Sequence, residues 1–135
     1  MKEKTVCAAL VGIGWAGRMH ANAFHHLHGI SVDMKTICAL EPEVGDFAAK
    51  YGFRTFTHSF REVLEDPEID VIDLATPPST HKDMIIQAMN AGKHVICEKP
   101  LGGYFGEAGD PEEVGCVSKE KMLRKIWCRC THCSR

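Results

Sequence analysis

Three glycines with the spacing G-x-G-x-x-G stand near the N-terminus, Gly12, Gly14 and Gly17, with Trp15 and Ala16 inside the motif. Gly12 permits a tight turn, Gly14 lets the backbone approach a pyrophosphate, and Gly17 lets a helix pack closely on a sheet. The helix that follows would offer free N–H groups and a partial positive charge to phosphates. An apolar run precedes the glycines and a helical pattern follows them, which favours a nucleotide site over a structural turn.

Glu41 follows the second apolar run, a little over twenty residues past the glycines, where an acidic group can bind the adenosine ribose 2′-hydroxyl. A lone glutamate at a strand end is more commonly a solvated side chain, but the glycines favour the functional reading. Its carboxylate would repel a 2′-phosphate, and Pro42 and Glu43 supply no arginine to receive one. We therefore expect NAD as the cofactor rather than NADP.

A third candidate site is Glu98-Lys99-Pro100, which directly follows the fifth apolar run. Ligands of parallel sheets bind at the carboxyl ends of the strands, so this segment should face the cofactor crevice. Lys99 could hydrogen-bond the nicotinamide ribose or stabilise an alkoxide that forms on a substrate. On position alone, a surface lysine is an equally good interpretation.

Histidines and prolines mark two further segments. Thr76-Pro77-Pro78-Ser79-Thr80-His81 ends the fourth strand, and its prolines would fix a loop over the cofactor. Taken alone, His81 is more often structural or solvated than a ligand. Four more histidines, His20, His25, His26 and His28, lie on or just after the first helix without a carboxylate at helical spacing. We interpret them as surface and core histidines and expect no metal site.

The elements that must position these residues follow from apolar periodicity. Continuous apolar runs predict strands covered on both faces, and residues at 3.6-residue spacing predict helices. Strands are expected at 5–13, 34–40, 53–56, 71–75 and 94–97. Four helices are expected: from Ala16 through Leu27 with a stop at Gly29, over 44–51, from Ser59 to about Asp66, and from Thr80 to Gly92. Ser59–Glu62 and Thr80–Asp83 have the spacing of capping boxes at the starts of the last two helices. The alternation predicts an α/β fold with a doubly wound parallel sheet of about five strands.

Composition excludes several classes of function. The chain has 135 residues, 44% hydrophobic and 25% charged, with a net charge of −2, so one globular domain is expected. A near-neutral chain gives no electrostatic case for nucleic acid or an anionic membrane surface. No apolar run approaches the roughly 20 residues of a membrane span. The N-terminus lacks the apolar region of a signal peptide, and we expect a cytoplasmic protein.

The end of the chain differs from the rest. Residues 1–118 carry 10 basic and 17 acidic side chains, whereas residues 119–135 carry 6 basic and 1 acidic. Residues 102–121 read as an insertion-like loop and the start of a helix capped by Ser118, and 122–135 as an atypical basic tail rich in cysteine. Cys128, Cys130 and Cys133 with His132 crowd into six residues, unlike the paired ligands of a structural zinc site. Metal binding there is the weakest of the hypotheses.

Three segments together resemble the N-terminal domain of Gfo/Idh/MocA oxidoreductases. They are the glycine motif, the loop from Thr76 to His81, and the specific Ala91-Gly-Lys-His-Val-Ile-Cys-Glu-Lys-Pro-Leu101 stretch. The resemblance covers about residues 4–101 and implies a Rossmann domain, 1–101, that binds NAD or NADP. In the family this domain precedes a larger α/β domain, and the enzymes oxidise or reduce a carbon of a sugar, cyclitol or related compound.

Carried over by position, the resemblance assigns roles to individual residues. It places Gly12, Gly14 and Gly17 at the pyrophosphate, Glu41 at the adenosine ribose, Thr76, Pro77 and His81 along the dinucleotide, and Glu98, Lys99 and Pro100 near the nicotinamide. Lys99 is the catalytic candidate. In the family the peptide bond that corresponds to Lys99–Pro100 is often cis. The family's catalytic acid/base, most of its substrate pocket and its usual oligomer interface lie in the second domain, which this sequence does not contain.

These implications lead to two hypotheses for the chain. The first is the cofactor-binding half of an NAD(P)-dependent oxidoreductase, truncated or frameshifted after about Met122, that cannot turn over a small polyhydroxy substrate alone. The second is a non-enzymatic dinucleotide-binding module that acts in sensing or scaffolding.

Overall fold

The computed structural model describes residues 5–101, and within them five strands alternate with four helices. The strands are β1 (Thr5–Val11), β2 (Ser31–Cys38), β3 (Thr55–Thr57), β4 (Val71–Leu74) and β5 (His94–Cys97). The helices are α1 (Trp15–Phe24), α2 (Val44–Tyr51), α3 (Phe60–Glu65) and α4 (Pro78–Asn90). Each predicted strand and helix up to residue 97 is present. The predicted loop and helix after residue 101 and the cysteine-rich tail lie outside the described residues.

All strand pairs are parallel, and the order across the sheet is β3-β2-β1-β4-β5. The chain moves outward from β1 in one direction, then returns past β1 and builds β4 and β5 on the other side. The strand order therefore reverses between β1 and β4, which is where ligands of such sheets bind. This confirms the predicted doubly wound, Rossmann-type parallel sheet.

Two apolar clusters cover the two faces of the sheet. Leu10 belongs to the cluster under α1 and α2, whereas its neighbours Ala9 and Val11 belong to the cluster under α3 and α4. Successive side chains of a strand point to opposite faces, so β1 needs apolar residues at every position. The continuous apolar run at the start of the sequence is the consequence of this two-sided burial.

Helix α1 is shorter than predicted, since it ends at Phe24 rather than near Gly29. The helical spacing places Ala16, Met19 and Phe24 on one apolar face. Ala16 and Phe24 do pack against the core, whereas Met19 is half exposed. The buried residues of the helix are Gly17 and Ala21, because the close approach of α1 to the sheet selects small residues.

The two predicted capping boxes have different outcomes. Helix α3 has Ser59 at its N-cap, but the Ser59 side chain makes no capping hydrogen bond. The hydroxyl of Thr57 instead accepts from the Ser59 N–H and donates to the Glu62 carboxylate. Helix α4 begins at Pro78, two residues before Thr80, because proline at the first helical position needs no backbone partner.

Between residues 5 and 101, no helix has the length and apolar character needed to cross a membrane.

Candidate functional site

A cleft of about 640 Å³ opens at the carboxyl ends of β1, β2 and β4. Seven of the predicted cofactor-binding residues line it: Gly12, Gly14, Trp15, Ala16, Glu41, Thr76 and Pro77. The cleft therefore brings together the glycine loop, the end of β2 and the loop after β4, which are far apart in the sequence. Its position is the topological switch point of the sheet.

Two glycines of the motif are required by the protein itself. A Cβ on Gly12, where φ is +103°, would lie 2.5 Å from the carbonyl oxygen of Ala75. A Cβ on Gly17 would lie 2.1 Å from the carbonyl oxygen of Gly12. Both distances are far below van der Waals contact, so any side chain would force the turn and α1 away from the sheet.

Gly14 is different, because nothing in the described protein lies within 4 Å of where its Cβ would be. It lines the cleft and is the N-cap of α1, and it has φ −64°, which any residue can adopt. Its lack of a side chain therefore leaves room for a molecule in the cleft rather than for another part of the protein.

The N-terminus of α1 is prepared for an anion. No side chain caps its first N–H groups, and its first turn contains no acidic residue. Uncapped N–H groups and the positive end of the helix dipole attract phosphate. The open backbone at Gly14 and this helix end together fit the pyrophosphate of a dinucleotide.

Glu41 lies across the cleft from the glycine loop, at the end of β2. Among the described residues that line the cleft there is no lysine or arginine, and Glu41 is the one carboxylate. The acidic side chain suits a ribose diol and disfavours a phosphate group in the same place.

One wall of the cleft was not predicted from the sequence. It consists of His58, which follows β3, Phe60 of α3, and Thr80 and Met84 of α4, and Ile13 and Leu40 also line the cleft. His58 is held by its Nδ1, 2.8 Å from the carbonyl oxygen of Ala39. The available signal was that His58 follows the third strand, since the carboxyl ends of parallel strands meet at one edge of the sheet.

His81 lies behind the cleft rather than in it. Its side chain is completely buried. Nε2 lies 2.7 Å from the carbonyl oxygen of Thr76, and Nδ1 lies 2.8 Å from the carbonyl oxygen of Pro100. His81 thus connects the loop after β4 to the segment after β5.

Glu98, Lys99 and Pro100 follow β5, beyond the residues that line the cleft. The Lys99–Pro100 peptide bond is cis, as the family resemblance implies. The Lys99 side chain is exposed, and its ammonium makes no ion pair with residues 5–101. The Lys99 residue thus lies exposed at the carboxyl edge of the sheet.

His20 bridges two carboxylates that the sequence did not connect with it. Its Nδ1 lies 2.8 Å from Oδ2 of Asp73, and its Nε2 lies 2.9 Å from Oε1 of Glu98. Burial disfavours the imidazolium, but the hydrogen bonds to Glu98 and Asp73 outweigh it and raise the pKa of His20. Burial also disfavours the charged form of Asp73 and so raises the pKa of that carboxyl group. The hydrogen bond with His20 lowers the pKa of Glu98.

Within the described part of the chain, no group of three or more histidine, cysteine, aspartate or glutamate residues is arranged to hold a metal ion. The cysteines and histidine of the tail lie outside it.

Residues 6–113 match the family model described as "Oxidoreductase family, NAD-binding Rossmann fold". The chain belongs to the Gfo/Idh/MocA family. The matched segment includes the glycine loop, Glu41, the loop after β4 and the Glu98–Lys99 segment, so every candidate site residue lies within the NAD-binding domain of the family.

Similar proteins include sugar and cyclitol dehydrogenases. Levoglucosan dehydrogenase of Pseudarthrobacter phenanthrenivorans is 38% identical over 68% of this chain and 25% of its own length. The NAD⁺-dependent scyllo-inositol 2-dehydrogenase of Bacillus subtilis is 39% identical over 92% of this chain and 37% of its own length. The chain thus spans between a quarter and two-fifths of the length of these relatives.

Solved structures show the same fold. Levoglucosan dehydrogenase in complex with NADH superposes with a TM-score of 0.69 at 34% identity, covering 73% of this chain and 29% of the other. The myo-inositol 2-dehydrogenase of Lactobacillus plantarum gives a TM-score of 0.68 at 34% identity, covering 76% of this chain and 30% of the other.

Proposed function

We propose that this chain binds NAD(H) with its adenosine and pyrophosphate half in the cleft between β1, β2 and β4. The observation that carries the proposal is the open backbone at Gly14, directly before the uncapped N-terminus of α1. Trp15, with 79% of its surface exposed, lies in the same loop. A phosphate at this position would accept hydrogen bonds from the first turn of α1.

Charge favours NAD over NADP. Glu41 would accept hydrogen bonds from the adenosine ribose hydroxyls, whereas a 2′-phosphate would meet a carboxylate. The described lining residues provide no lysine or arginine to compensate for that repulsion.

The nicotinamide would extend from the cleft toward Glu98, Lys99 and Pro100. When bound, the nicotinamide accepts or delivers the hydride. Lys99 would hydrogen-bond the substrate oxygen and stabilise the negative charge that develops there as the hydroxyl proton passes to the acid/base that the family resemblance places in the second domain. The carbon would then give its hydride to the nicotinamide, and the oxygen would become a carbonyl oxygen. The similar enzymes are named for levoglucosan and inositols, so we propose a small polyhydroxy compound as the substrate of an enzyme that contains this domain.

Binding and turnover are separate properties of this chain. Hydride transfer requires the substrate to be held at about 3–3.5 Å from the nicotinamide. The chain spans only a quarter to two-fifths of the relatives named above. We therefore expect the 135-residue chain to bind NADH without oxidising levoglucosan or inositols. In an assay with added NAD⁺ and one of these compounds, an NADH absorbance that increases with time would contradict this expectation.

The binding test uses the fluorescence of Trp15. In a Trp127→Phe background, NADH should quench Trp15 emission in a saturable way, since the indole lies beside the proposed pyrophosphate site. Gly14→Val should abolish saturation because its side chain occupies the space left for the ligand, while the thermal unfolding midpoint stays close to that of the parent. Saturable NADH binding by Gly14→Val, or none by the parent chain, would overturn the proposal.

A further inference from the structure

We propose that His20 is a positioning residue, which links Asp73 to Glu98 and thereby holds the Glu98–Lys99 segment where it can meet the nicotinamide. Its effect on NADH binding rests on the proposed function, whereas the hydrogen bonds of His20 to Asp73 and Glu98 do not. It concerns a residue of α1 that belongs neither to the glycine motif nor to the residues that line the cleft.

The three side chains come from three separate elements. His20 belongs to α1, Asp73 to β4, and Glu98 directly follows β5. The pairs are separated by 53 and 78 residues in the sequence. The bridge therefore ties the helix that begins at the glycine loop to the end of the sheet's outermost described strand.

Glu98 passes this connection on to the next residue. One oxygen of its carboxylate faces His20, and the other accepts a 3.1 Å hydrogen bond from the backbone N–H of Lys99. The orientation of the Glu98 side chain and the position of the Lys99 backbone are thus coupled. A Glu98 side chain that turned toward solvent would release both bonds.

The charges explain why a histidine is needed. Asp73 is 2% exposed, and Glu98 is the second carboxylate on the same ring. An imidazolium donates one N–H to each carboxylate, and its two ring nitrogens point in different directions, toward Asp73 and toward Glu98. Without it, two carboxylates would face each other with one of them buried, which costs free energy. Glu98 can relieve the repulsion by moving outward, because its side chain is partly exposed.

Two other titratable groups interact with the carboxylates of the bridge. Lys99 lowers the pKa of Glu98, although less than His20 does. Cys97 is a thiol whose pKa is raised, first by burial and then by Asp73 and Glu98. Of these three groups, His20 is the one that is hydrogen-bonded to both carboxylates through its side chain.

The first test observes the ring directly in the full 135-residue chain. In ¹⁵N NMR spectra, the His20 ring should titrate with a midpoint above the ordinary 6.5, and both ring nitrogens should carry protons below that midpoint. His20 is assigned by the signal that disappears in His20→Gln. Glu98→Gln should lower the midpoint, since it removes one of the two charges that favour the imidazolium. A midpoint at or below 6.5, or a midpoint unaffected by Glu98→Gln, would overturn the bridge.

The second test separates positioning from general stability by using two ligands. NADH reaches the Lys99 segment, whereas ADP-ribose contains the adenosine and pyrophosphate but no nicotinamide. His20→Gln should weaken NADH binding about fivefold or more while leaving ADP-ribose affinity unchanged, because a glutamine donates to one carboxylate and presents its carbonyl to the other. His26→Gln, an exposed histidine next to the end of the same helix, is the matched control and should alter neither affinity.

The outcomes distinguish this inference from the proposed function. If the parent chain binds neither ligand, the proposed function fails, and the NMR test still decides whether the bridge exists. If the parent binds both ligands and His20→Gln weakens them equally or not at all, the positioning role is wrong while NAD binding stands.

Discussion

The two parts of the proposed site are built in opposite ways. On the side of the glycine loop, Gly12 and Gly17 lack side chains because the backbone around them leaves no room for one, and Gly14 lacks one where the proposed ligand would lie. On the side of Glu98 and Lys99, it prepares the place by joining charged side chains, through His20 and Asp73. One side is shaped by close packing of the backbone and the other by hydrogen bonds between distant residues.

The difference teaches where each side is vulnerable. A side chain added at Gly12 or Gly17 meets backbone, which cannot move without moving the helix. A side chain removed from the charged side leaves a buried polar group without a partner, which costs about 1–3 kcal/mol. Packing changes should therefore affect the whole domain, whereas changes in the bridging histidines should affect the Glu98–Lys99 segment first.

The largest effect is expected for Gly17→Ala. The new Cβ would lie 2.1 Å from the carbonyl oxygen of Gly12, so α1 must shift, and we expect the free energy of unfolding to fall by about 3 kcal/mol or more. Urea unfolding followed by circular dichroism measures it. Gly14→Ala is the matched control, with a change within about 1 kcal/mol, since its Cβ meets nothing. Equal losses for the two variants would remove the distinction between the glycines.

His81→Leu should have the next largest effect. It removes the ring that lies between the carbonyl oxygens of Thr76 and Pro100, and a buried carbonyl oxygen that accepted the ring N–H loses its donor, which should cost about 1–3 kcal/mol of unfolding free energy. The same urea measurement applies, with the exposed His26→Leu as the control. If His81→Leu is as stable as the parent, the buried histidine does not connect the two loops.

Glu41→Gln tests the glycine-loop side by ligand preference rather than by stability. Loss of the carboxylate removes a charged acceptor for the ribose hydroxyls and a source of repulsion for a 2′-phosphate. We expect the preference for NADH over NADPH to fall about tenfold, measured by parallel titrations of Trp15 fluorescence in the Trp127→Phe background. Glu43→Gln, on the residue that caps α2, is the matched control. An unchanged preference would show that Glu41 does not face the ribose.

The smallest effect is the pH dependence of stability due to His20. Because the pKa of His20 is raised in the folded protein, its stabilisation is complete below the ordinary value of 6.5 and is lost as the pH rises through the folded value. The difference in unfolding free energy between the parent and His20→Gln should therefore shrink as the pH rises above about 6.5. The stabilisation that comes from the lowered pKa of Glu98 is complete above its ordinary value of 4.5 and is lost only as the pH falls below that value, outside this range. If the difference in unfolding free energy between the parent and His20→Gln grew with pH, stabilisation by a protonated His20 ring would be contradicted.

Much of the fold could be predicted because its signals are local. An apolar run such as 5–11 needs no partner to be recognised as a buried strand, and the αL conformation of Gly52 ends α2 where the sequence indicated. The glycine motif is equally local, since its spacing reflects one turn. The face of α1 could not be predicted in this way, because it depends on how closely the helix approaches a sheet formed by residues elsewhere in the chain.

By itself, the sequence determined the order of the elements, the glycine loop, the acid at Glu41 and the position of Lys99 at a strand end. Only the tertiary structure decided the roles of His20 and His81, which lie on helices whose local pattern makes them ordinary polar residues. Their partners are Asp73 and Glu98 in one case, and backbone oxygens in the other. A hydrogen bond between residues that are 53 or 78 positions apart exists only once the sheet has brought them together, and nothing in the spacing of side chains along the chain records that distance.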